Sequence, residues 1–400
     1  MVNFKKDFPM LNRDLIYFDN GATTFKPQCV IDAITDYYAN YSANAHRGDY
    51  NISLKVDMAY EGVRDKVAKF INARHREEII FTSGATESLN MIVNGFFEPI
   101  LEENDEVLLT DAEHASNVLP WFKLANKKGI KIKYIPLDET FHITLENVKR
   151  SITPRTKVIS IAEVTNVIGD VRPMKEICEF AHNNNIFVVA DGAQSVPHRK
   201  TDVIDTDVDF LAFSAHKMCG PTGVGVLYGK QELLESLDPQ KMGGGMNESF
   251  DSESEIYLKE LPMRLEAGTP NIAGVIGLGS AIDYLEKIGM DNIALKESEL
   301  KKYLIEKLEK INYIDIINSE CDSGIVAFNV DGIFPQDVAV YLDKYNVCVR
   351  AGNHCAKILK KSVGVKNTVR VSLYFYNTKE EIDNFVDLLR DRDKIMKEMI

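Results

Sequence analysis

The sequence predicts an α/β protein, with a large domain on a mostly parallel seven-stranded sheet and a smaller α+β domain after it. Apolar, β-rich runs alternate with helical stretches through most of the 400 residues. Such alternation is typical of βαβ units whose sheet is covered on both faces. After about residue 269 the pattern changes to long helices and shorter strands. We expect residues 16–265 to form the large domain and residues 266–400 the core of the small one.

The elements follow in order along the chain. The predicted strands of the large domain are Glu78–Thr82, Glu106–Leu109, Ile130–Ile135, Val158–Ile161, Ile186–Ala190, Phe210–Phe213 and Gly225–Tyr228, with helices over Glu87–Phe97 and Val171–Asn183. The polar, glycine-rich segment 243–255 predicts a mobile loop. The predicted elements of the small domain are helices over Gly274–Ile288 and Leu295–Ile311, strands over Gly324–Asn329 and Thr368–Leu373, and a terminal helix from Lys379.

The composition excludes several classes of partner. A formal net charge of −13 argues against nucleic acid or an anionic membrane as the main partner. No run approaches the roughly 18 apolar residues of a membrane span, and the first nine residues contain no continuous apolar stretch. We therefore expect a cytoplasmic protein.

The six cysteines are scattered, with no C-x-x-C pair, so we expect neither a metal site nor disulfides in a cytosolic chain. Cys178 lies in a helical pattern and Cys348 in an alternating strand, which predicts core positions for both. Cys355 differs because it follows the glycine-containing segment Arg350–His354. An exposed loop with cationic neighbours lowers the pKa of a thiol and makes it a nucleophile.

The strongest indication of chemistry is Lys217. It lies at the end of the segment Ser214–Lys217, which directly follows the predicted buried strand Phe210–Phe213. A buried amine is costly unless it is paired or used covalently. A neighbouring strand, Ile186–Ala190, ends in Asp191. Pyridoxal phosphate (PLP) needs such a pair, because the lysine forms its Schiff base and the acid keeps its pyridinium nitrogen protonated. The alternative is an unrelated lysine and acid at two strand ends, and the combination favours the cofactor.

A phosphate site is predicted where Thr82–Glu87 follows a strand and opens a helix. The first-turn amides at Gly84 and Ala85 and the hydroxyl of Thr86 can hold a dianion at the positive end of a helix. An ordinary glycine turn with a Ser or Thr cap is the alternative. Beside a Schiff-base lysine, phosphate binding is favoured.

These motifs resemble the class V, fold-type I PLP enzymes, and within them the SufS-type cysteine desulfurases. The resemblance covers nearly the whole chain and is carried by Tyr17–Ala22, Ala190–Ser195, Phe213–Lys217, Gly220–Gly225 and Tyr376–Thr378. It implies the fold-type I PLP-transferase architecture, with residues 1–15 joining the small domain. It also implies a homodimer, in which Thr269 of the segment Glu266–Asn271 reaches the phosphate in the partner subunit.

The resemblance assigns further cofactor contacts. Ser214 and His216 hold the phosphate from the side opposite Thr86. His114 stacks on the pyridine ring and takes part in proton transfer, although a lone loop histidine is often only hydrogen-bonded. Asn166 and Gln194 lie beside the ring hydroxyl.

The carboxylate of an amino-acid substrate is best matched by a planar guanidinium. Arg370 occupies the family position for this clamp, and an arginine inside an apolar strand is expensive without an anion. The same pocket is expected to include Asn20, Gly21, Ala22, His46, Arg47 and Arg350.

The resemblance implies a desulfurase that converts L-cysteine to L-alanine. Lys217 removes the α-proton, Cys355 takes the sulfur as a persulfide, and an acceptor protein receives it for iron–sulfur assembly or a related pathway. A selenocysteine lyase, an aminotransferase or a β-lyase of the same class stays open, since these do not need Cys355. A non-catalytic sulfur carrier or scaffold would predict loss of Lys217 or Asp191, and both are present.

Two positions depart from the family pattern. Asn353 stands where a histidine often precedes the His-Cys pair, which bears on the tuning of the Cys355 loop. Gln336 follows Pro335 where relatives that pass sulfur to a zinc-containing scaffold protein often have histidine. The second departure bears on the docking of that kind of partner.

Overall fold

The structure, a computed structural model, describes residues 4–46, 48–321 and 323–398. Its strands are β1 Ile16–Tyr17, β2 Ile79–Thr82, β3 Glu106–Thr110, β4 Lys131–Ile135, β5 Thr156–Ala162, β6 Phe187–Asp191, β7 Phe210–Ser214, β8 Gly225–Gly229, β9 Asn247–Phe250, β10 Ile256–Leu258, β11 Ile314–Ile316, β12 Ile325–Val330, β13 Val347–Cys348, β14 Arg350–Gly352 and β15 Thr368–Ser372. Its α-helices are α1 Gln28–Asn40, α2 Asn51–Phe70, α3 Ala85–Met91, α4 Glu98–Ile100, α5 Ala115–Lys128, α6 Leu145–Ser151, α7 Met174–His182, α8 Val203–Thr206, α9 Gln231–Glu235, α10 Ile272–Ile288, α11 Met290–Leu308, α12 Pro335–Asp343, α13 Lys360–Val363, α14 Lys379–Leu389 and α15 Arg392–Glu398.

The seven predicted strands form one sheet in the order β2-β8-β7-β6-β5-β3-β4. Successive residues of β7 enter opposite cores: Leu211 and Phe213 belong to one, Phe210 and Ala212 to the other. Because side chains alternate across a strand, this pattern shows that the sheet is buried on both faces. The predicted α/β class is confirmed.

Strand β8 is the antiparallel member of the sheet and pairs with both β7 and β2. Only a short turn, from Ala215 to Val224, joins β7 to β8. A parallel crossover needs a dozen or more residues, so this connection reverses the chain. Strand β2, antiparallel to β8, then runs parallel to β7, and its carboxyl end lies at the same edge.

A second sheet, in the order β11-β12-β15-β14, lies in the C-terminal part of the chain. Strand β1 pairs with β13, and Asp19 forms a bridge with Ser372. The N-terminal segment is therefore held against the second sheet. Arg350 of β14 and Arg370 of β15 stand opposite each other in register.

The predicted helix Glu87–Phe97 begins at Ala85 and changes into a π-helix over Ile92–Phe97. The wider turn leaves the Gly95 carbonyl free to accept a hydrogen bond from the Asp238 amide at 3.0 Å. A Cβ at Gly95 would lie 2.6 Å from the Asp238 carbonyl oxygen. A close backbone contact thus accompanies the local departure from α geometry.

Two further expectations need correction. The predicted helix Val171–Asn183 starts at Met174, because Pro173 disfavours helical geometry in the residue before it. The segment 243–255 is not a simple loop, since β9 and β10 form an antiparallel hairpin within and beyond it. No helix in the described ranges is long and apolar enough to cross a membrane.

Candidate active site

A polar cavity of about 190 Å³ lies at the carboxyl edge of the large sheet. Loops after β2, β3, β5, β6 and β7 reach it, together with β14 and β15 of the second sheet. Ligands of open α/β sheets bind at this edge. The predicted residues that line it are Ala22, Ala85, Thr86, His114, Asn166, Asp191, Gln194, Ser214, His216, Lys217, Arg350 and Arg370.

Lys217 ends the single 3-10 turn Ala215–Lys217 that follows β7. Burial lowers the pKa of its amine to about 8, and the nearby carboxylate of Asp191 acts in the opposite direction. Desolvation disfavours the ammonium form. The amine therefore becomes a usable base and nucleophile near neutral pH.

Asp191 is buried at the end of β6, and burial raises the pKa of its carboxyl group. Its Oδ1 accepts a hydrogen bond from the Ala193 amide at 3.0 Å. Lys217 opposes the upward shift. A cation placed against Asp191 would favour the carboxylate form, which suits the predicted pairing with a pyridinium nitrogen.

His114 caps α5, since its Nδ1 accepts a hydrogen bond from the Ser116 amide at 3.2 Å. Burial and the cations Lys217 and Arg350 lower the pKa of His114 to about 4. The ring is therefore neutral at pH 7. Because Nδ1 accepts, Nε2 carries the proton.

A buried ion pair between Arg172 and Glu113 lies next to His114 in the chain. Arg172 pairs with Glu113 and also donates to the Thr110 hydroxyl at 2.7 Å. Glu113 in turn accepts from the Asn117 amide and from the backbone of Ala162. Every partner is buried, so the network fixes the loop between β3 and α5.

The residues predicted to hold the phosphate lie close together. The Ser214 hydroxyl accepts from the Ala85 amide at 2.8 Å, and the Thr86 and Ser116 hydroxyls lie 2.7 Å apart. Burial and Lys217 lower the pKa of His216 to about 4. The end of β7 and the first turns of α3 and α5 thus bring polar groups together, as an anion requires.

Four buried polar atoms of this region have no hydrogen-bond partner within the described chain: Asn166 Oδ1, Gln194 Oε1, His354 Nδ1 and Arg370 Nε. Buried polar groups are normally satisfied, so this cluster marks a site built for a polar ligand. Its donors and acceptors, a buried lysine and a buried acid fit PLP with an amino-acid substrate.

Arg370 is buried and held on two sides. Its Nη2 pairs with Asp19 at 2.8 Å, and its Nη1 donates to the Asn166 carbonyl at 2.8 Å. Burial lowers the pKa of Arg370. Its unpartnered Nε leaves hydrogen-bonding capacity for a carboxylate. Of the predicted pocket residues in the loop that carries Asp19, Gly21 lines the cavity, whereas Asn20 is buried beside it.

Cys355 is exposed, as predicted, and its loop is tied to the cavity wall. The Ala115 amide donates to the Cys355 carbonyl at 2.9 Å, and the Asn166 side chain donates to the His354 carbonyl at 2.7 Å. His354 and Cys355 both have left-handed backbones, with φ of 51° and 61°. Within the described residues the cavity lining includes His354 but not the thiol itself.

The cationic neighbours predicted for Cys355 do not include a charged His354. His354 is buried, and burial together with Arg370 lowers its pKa to about 3. Its Nε2 lies 2.9 Å from the Thr368 hydroxyl. His354 is therefore neutral and orients the loop.

Cys348, predicted to be core, is half-buried, whereas Cys178 is buried as predicted.

His46 and Thr269 are not brought to the Lys217 cavity within this chain. Both line a separate cavity of about 500 Å³, where Thr269 accepts from the Asn44 side chain at 3.3 Å and His46 lies 3.2 Å from Glu61. Their assigned roles stay predictions. Arg47 lies outside the described residues.

Sequence reasoning missed residues that act through others. Asp19 was not singled out, because an acid in a loop has no distinguishing spacing. Glu163, which accepts a hydrogen bond from Ser195, is buried beside Asp191, and burial raises its pKa to about 7. A charged residue two positions after the buried run Val158–Ile161 was the available signal.

The buried lysine and acid at adjacent strand ends, beside a helix start that faces them, define the class of PLP-dependent enzymes. The sequence model of the aminotransferase class-V family matches residues 16–385. The chain belongs to this family, and its cofactor is PLP.

The chain is similar along nearly its whole length to proteins named as cysteine desulfurases. A probable cysteine desulfurase of Halalkalibacterium halodurans is 44% identical, with 95% of this chain and 94% of the relative covered. A cysteine desulfurase of Haloferax volcanii is 39% identical, with 96% of this chain and 95% of the relative covered. The apo structure of the cysteine desulfurase from Thermococcus onnurineus has a TM-score of 0.93 at 37% identity, with 98% and 97% covered. The structure of a cysteine desulfurase from Escherichia coli has a TM-score of 0.92 at 34% identity, with 99% of this chain and 98% of that chain covered.

Proposed function

We propose that this chain is a PLP-dependent cysteine desulfurase that converts L-cysteine to L-alanine and keeps the sulfur as a persulfide on Cys355. The observation that carries the proposal is the placement of Cys355. It is exposed, yet its loop is hydrogen-bonded to the neighbours of His114 and to Asn166. The names of the relatives and solved structures support the same activity.

The residues that would hold the cofactor surround the Lys217 cavity. Lys217 would carry it covalently, Asp191 would pair with its ring nitrogen, and His114 would cover the ring. The phosphate would be held by Gly84, Ala85, Thr86, Ser214 and His216. When bound, PLP holds the nitrogen of the amino acid and withdraws electrons from its α-carbon.

The residues of the chain divide the remaining work. Arg370 binds the carboxylate of the substrate, and Asp19 fixes the orientation of the guanidinium. The amine of Lys217, with a pKa of about 8, removes the α-proton and returns protons to the three-carbon fragment. The neutral ring of His114 can donate from Nε2.

Cys355 takes the sulfur. Its thiolate attacks the sulfur atom of the substrate, so a new S–S bond forms while the C–S bond breaks. The electron pair of that bond stays with the three-carbon fragment, which takes up a proton and leaves as alanine. Atoms and electrons balance without an external oxidant. Since the thiol does not line the cavity, the side chain of Cys355 must turn inward for this step.

We propose a homodimer as the working form. The large cavity that holds His46 and Thr269 is open to solvent in the single chain, and α2 beside it exposes Ile52, Leu54 and Met58. A second copy that covers this face would let Thr269 reach the partner's phosphate. Thr269→Val should then weaken PLP retention while the protein still sediments as a dimer, and a monomer that retains PLP fully would contradict the arrangement.

A protein that accepts sulfur from Cys355, for iron–sulfur assembly or a related pathway, completes the proposal, as does a cytoplasmic location. The products made from L-cysteine test the activity. With a thiol reductant present we expect alanine and sulfide in equal amounts. Pyruvate with ammonia would instead assign a β-lyase. Activity confined to selenocysteine would assign a selenocysteine lyase.

A further inference from the structure

The segment around Cys355 has a charge opposite to that of the chain as a whole. From Lys344 to Lys379 the sequence contains eight Lys and Arg residues and no Asp or Glu, although the formal net charge of the chain is −13. Arg350 and Arg370 of this set line the Lys217 cavity. The function derived above does not use the remaining cations.

Four of these cations form a surface next to the thiol. Ala356 and Leu359 are buried in a small apolar cluster with Val167 and Ile168, so the segment after Cys355 is anchored by one face. Its other face carries Lys357, Lys360, Lys361 and Lys366, all exposed. We call these four side chains the lysine patch.

No acid within the described residues forms an ion pair with any side chain of the lysine patch. Elsewhere on the surface lysines do pair, as Lys66 does with Asp283 and Lys149 with Glu146. The segment touches Asp111, which accepts a hydrogen bond from Ser362 at 2.8 Å. One carboxylate at the edge leaves most of the positive charge available to a partner.

We propose that the lysine patch is the docking surface for a sulfur-acceptor protein that presents acidic residues around its receiving thiol. The proposal rests on the function proposed above and specifies the partner of the same site. At distances beyond the Debye length, about 8 Å at physiological ionic strength, the net negative chain does not attract an acidic protein. At contact the lysine patch does attract the acidic residues of the partner. It therefore orients the partner so that the receiving thiol of the partner lies at Cys355.

The transfer that this surface serves is balanced. The thiolate of the acceptor attacks the outer sulfur of the Cys355 persulfide, a new S–S bond forms, and the S–S bond to Cys355 breaks. The acceptor sulfur is oxidised to a persulfide, and Cys355 is reduced to its thiolate. The proton lost by the acceptor thiol is matched by the proton that the released thiolate takes up.

The test compares holoenzyme and variants with two synthetic peptides, each with one cysteine, flanked either by Glu and Asp or by Lys. The rate of persulfide transfer from Cys355 to each peptide is followed by mass spectrometry at low and high salt. We expect wild type to favour the acidic peptide by about tenfold, and salt to reduce the preference. Equal rates for both peptides at low salt would overturn the proposal.

A matched pair of variants separates the patch from the net charge. Lys357→Glu, Lys360→Glu and Lys361→Glu combined should reverse the peptide preference. The control combines Lys287→Glu, Lys302→Glu and Lys310→Glu, exposed lysines on or beside α10 and α11. Each triple change subtracts six charges, from −13 to −19. A control that reverses the preference equally would overturn the proposal.

Further measurements separate the docking surface from the proposed function. Sulfide released to dithiothreitol, a neutral acceptor, should be the same in wild type and both variants. If wild type forms no persulfide on Cys355, the proposed function fails. If the persulfide forms but peptide charge has no effect, only the docking surface fails. Single-stranded RNA and polyglutamate are also compared as inhibitors of the transfer, at equal concentrations of negative charge. Stronger inhibition by the RNA would assign the lysine patch to nucleic acid and overturn the proposal of a protein partner.

Discussion

At the scale of single residues, the chemistry depends on what burial does to titratable groups. Lys217, His114, His216 and His354 all have lowered pKa values because desolvation disfavours their charged forms. The buried acids Asp191 and Glu163 shift upward for the same reason. The site therefore holds neutral histidines around an amine that loses its proton near pH 8.

The pH dependence of cofactor loading tests this property of Lys217. Only the neutral amine attacks the aldehyde of PLP, so the rate of chromophore formation in the apoenzyme should rise about tenfold per pH unit and level off near pH 8. Stopped-flow absorbance measures it, and the same titration with N-acetyl-lysine corrects for ionisations of PLP itself. A corrected rate that climbs unbroken to pH about 10 would contradict the buried amine.

The buried carboxyl of Glu163 has a consequence for stability. Its pKa is about 7 in the folded chain and about 4.3 in an unfolded one. The stabilisation of its protonated form is fully present below about pH 4.3 and is lost as pH rises through 7. Relative to Glu163→Gln, wild type should lose about 3 kcal/mol across that window.

Urea unfolding of wild type and Glu163→Gln at pH 5 and pH 7.5 measures this loss. The exposed Glu102, changed to Gln, serves as the matched control and should show no such pH-dependent difference. A constant gap between wild type and Glu163→Gln at both pH values would show that Glu163 is not protonated on folding.

At the scale of elements, the turn at Gly84, which we propose holds the phosphate, depends on a close approach between the start of α3 and β8. A Cβ at Gly225 would lie 2.3 Å from the Gly84 Cα, and the next two atoms it would meet are also backbone atoms of Gly84. Gly225→Ala should therefore displace the turn and weaken PLP binding by tenfold or more. Gly62, in α2, has open space around it; Gly62→Ala should leave PLP affinity unchanged and gain up to about 1 kcal/mol of stability. Equal PLP affinities in both variants would refute the packing argument.

The sequence was most informative about elements with strong apolar runs. The strands of the large sheet follow from runs such as Val158–Ile161, and Lys217 and Asp191 follow from their positions at strand ends. The π-helix after Met91 was not predicted, and the contact that accompanies it joins Gly95 and Asp238, which are far apart in sequence. The late start of α7 could be predicted from Pro173.

The site was predicted less completely where side chains act through others. Arg370 was recognisable as a charge in an apolar strand, but its partner Asp19 comes from the opposite end of the chain. The burial of His354 could not be predicted either, since a histidine after Gly352 in a loop has no periodic pattern. Contacts of this kind arise from tertiary packing rather than local sequence.

At the scale of the whole molecule, two sheets bring their functional residues to one cavity. The large sheet supplies the lysine and acid at its strand ends, and the second sheet supplies two arginines and the Cys355 loop. The loop presents its thiol outward, while its backbone is fixed to the cavity wall. In the function proposed above, this arrangement would let sulfur be collected inside the cavity and delivered at the surface.

The fate of the substrate sulfur tests this account most directly. Holoenzyme is mixed briefly with L-cysteine, quenched and analysed by peptide mass spectrometry. The same measurement is made on Cys355→Ala and on Cys29→Ala, which removes the other exposed cysteine. We predict one added sulfur atom on the Cys355 peptide in wild type and Cys29→Ala. Cys355→Ala should retain its colour and lose sulfide release by orders of magnitude. Sulfide release at the wild-type rate in Cys355→Ala, with no added sulfur on the Cys355 peptide of wild type, would contradict the account.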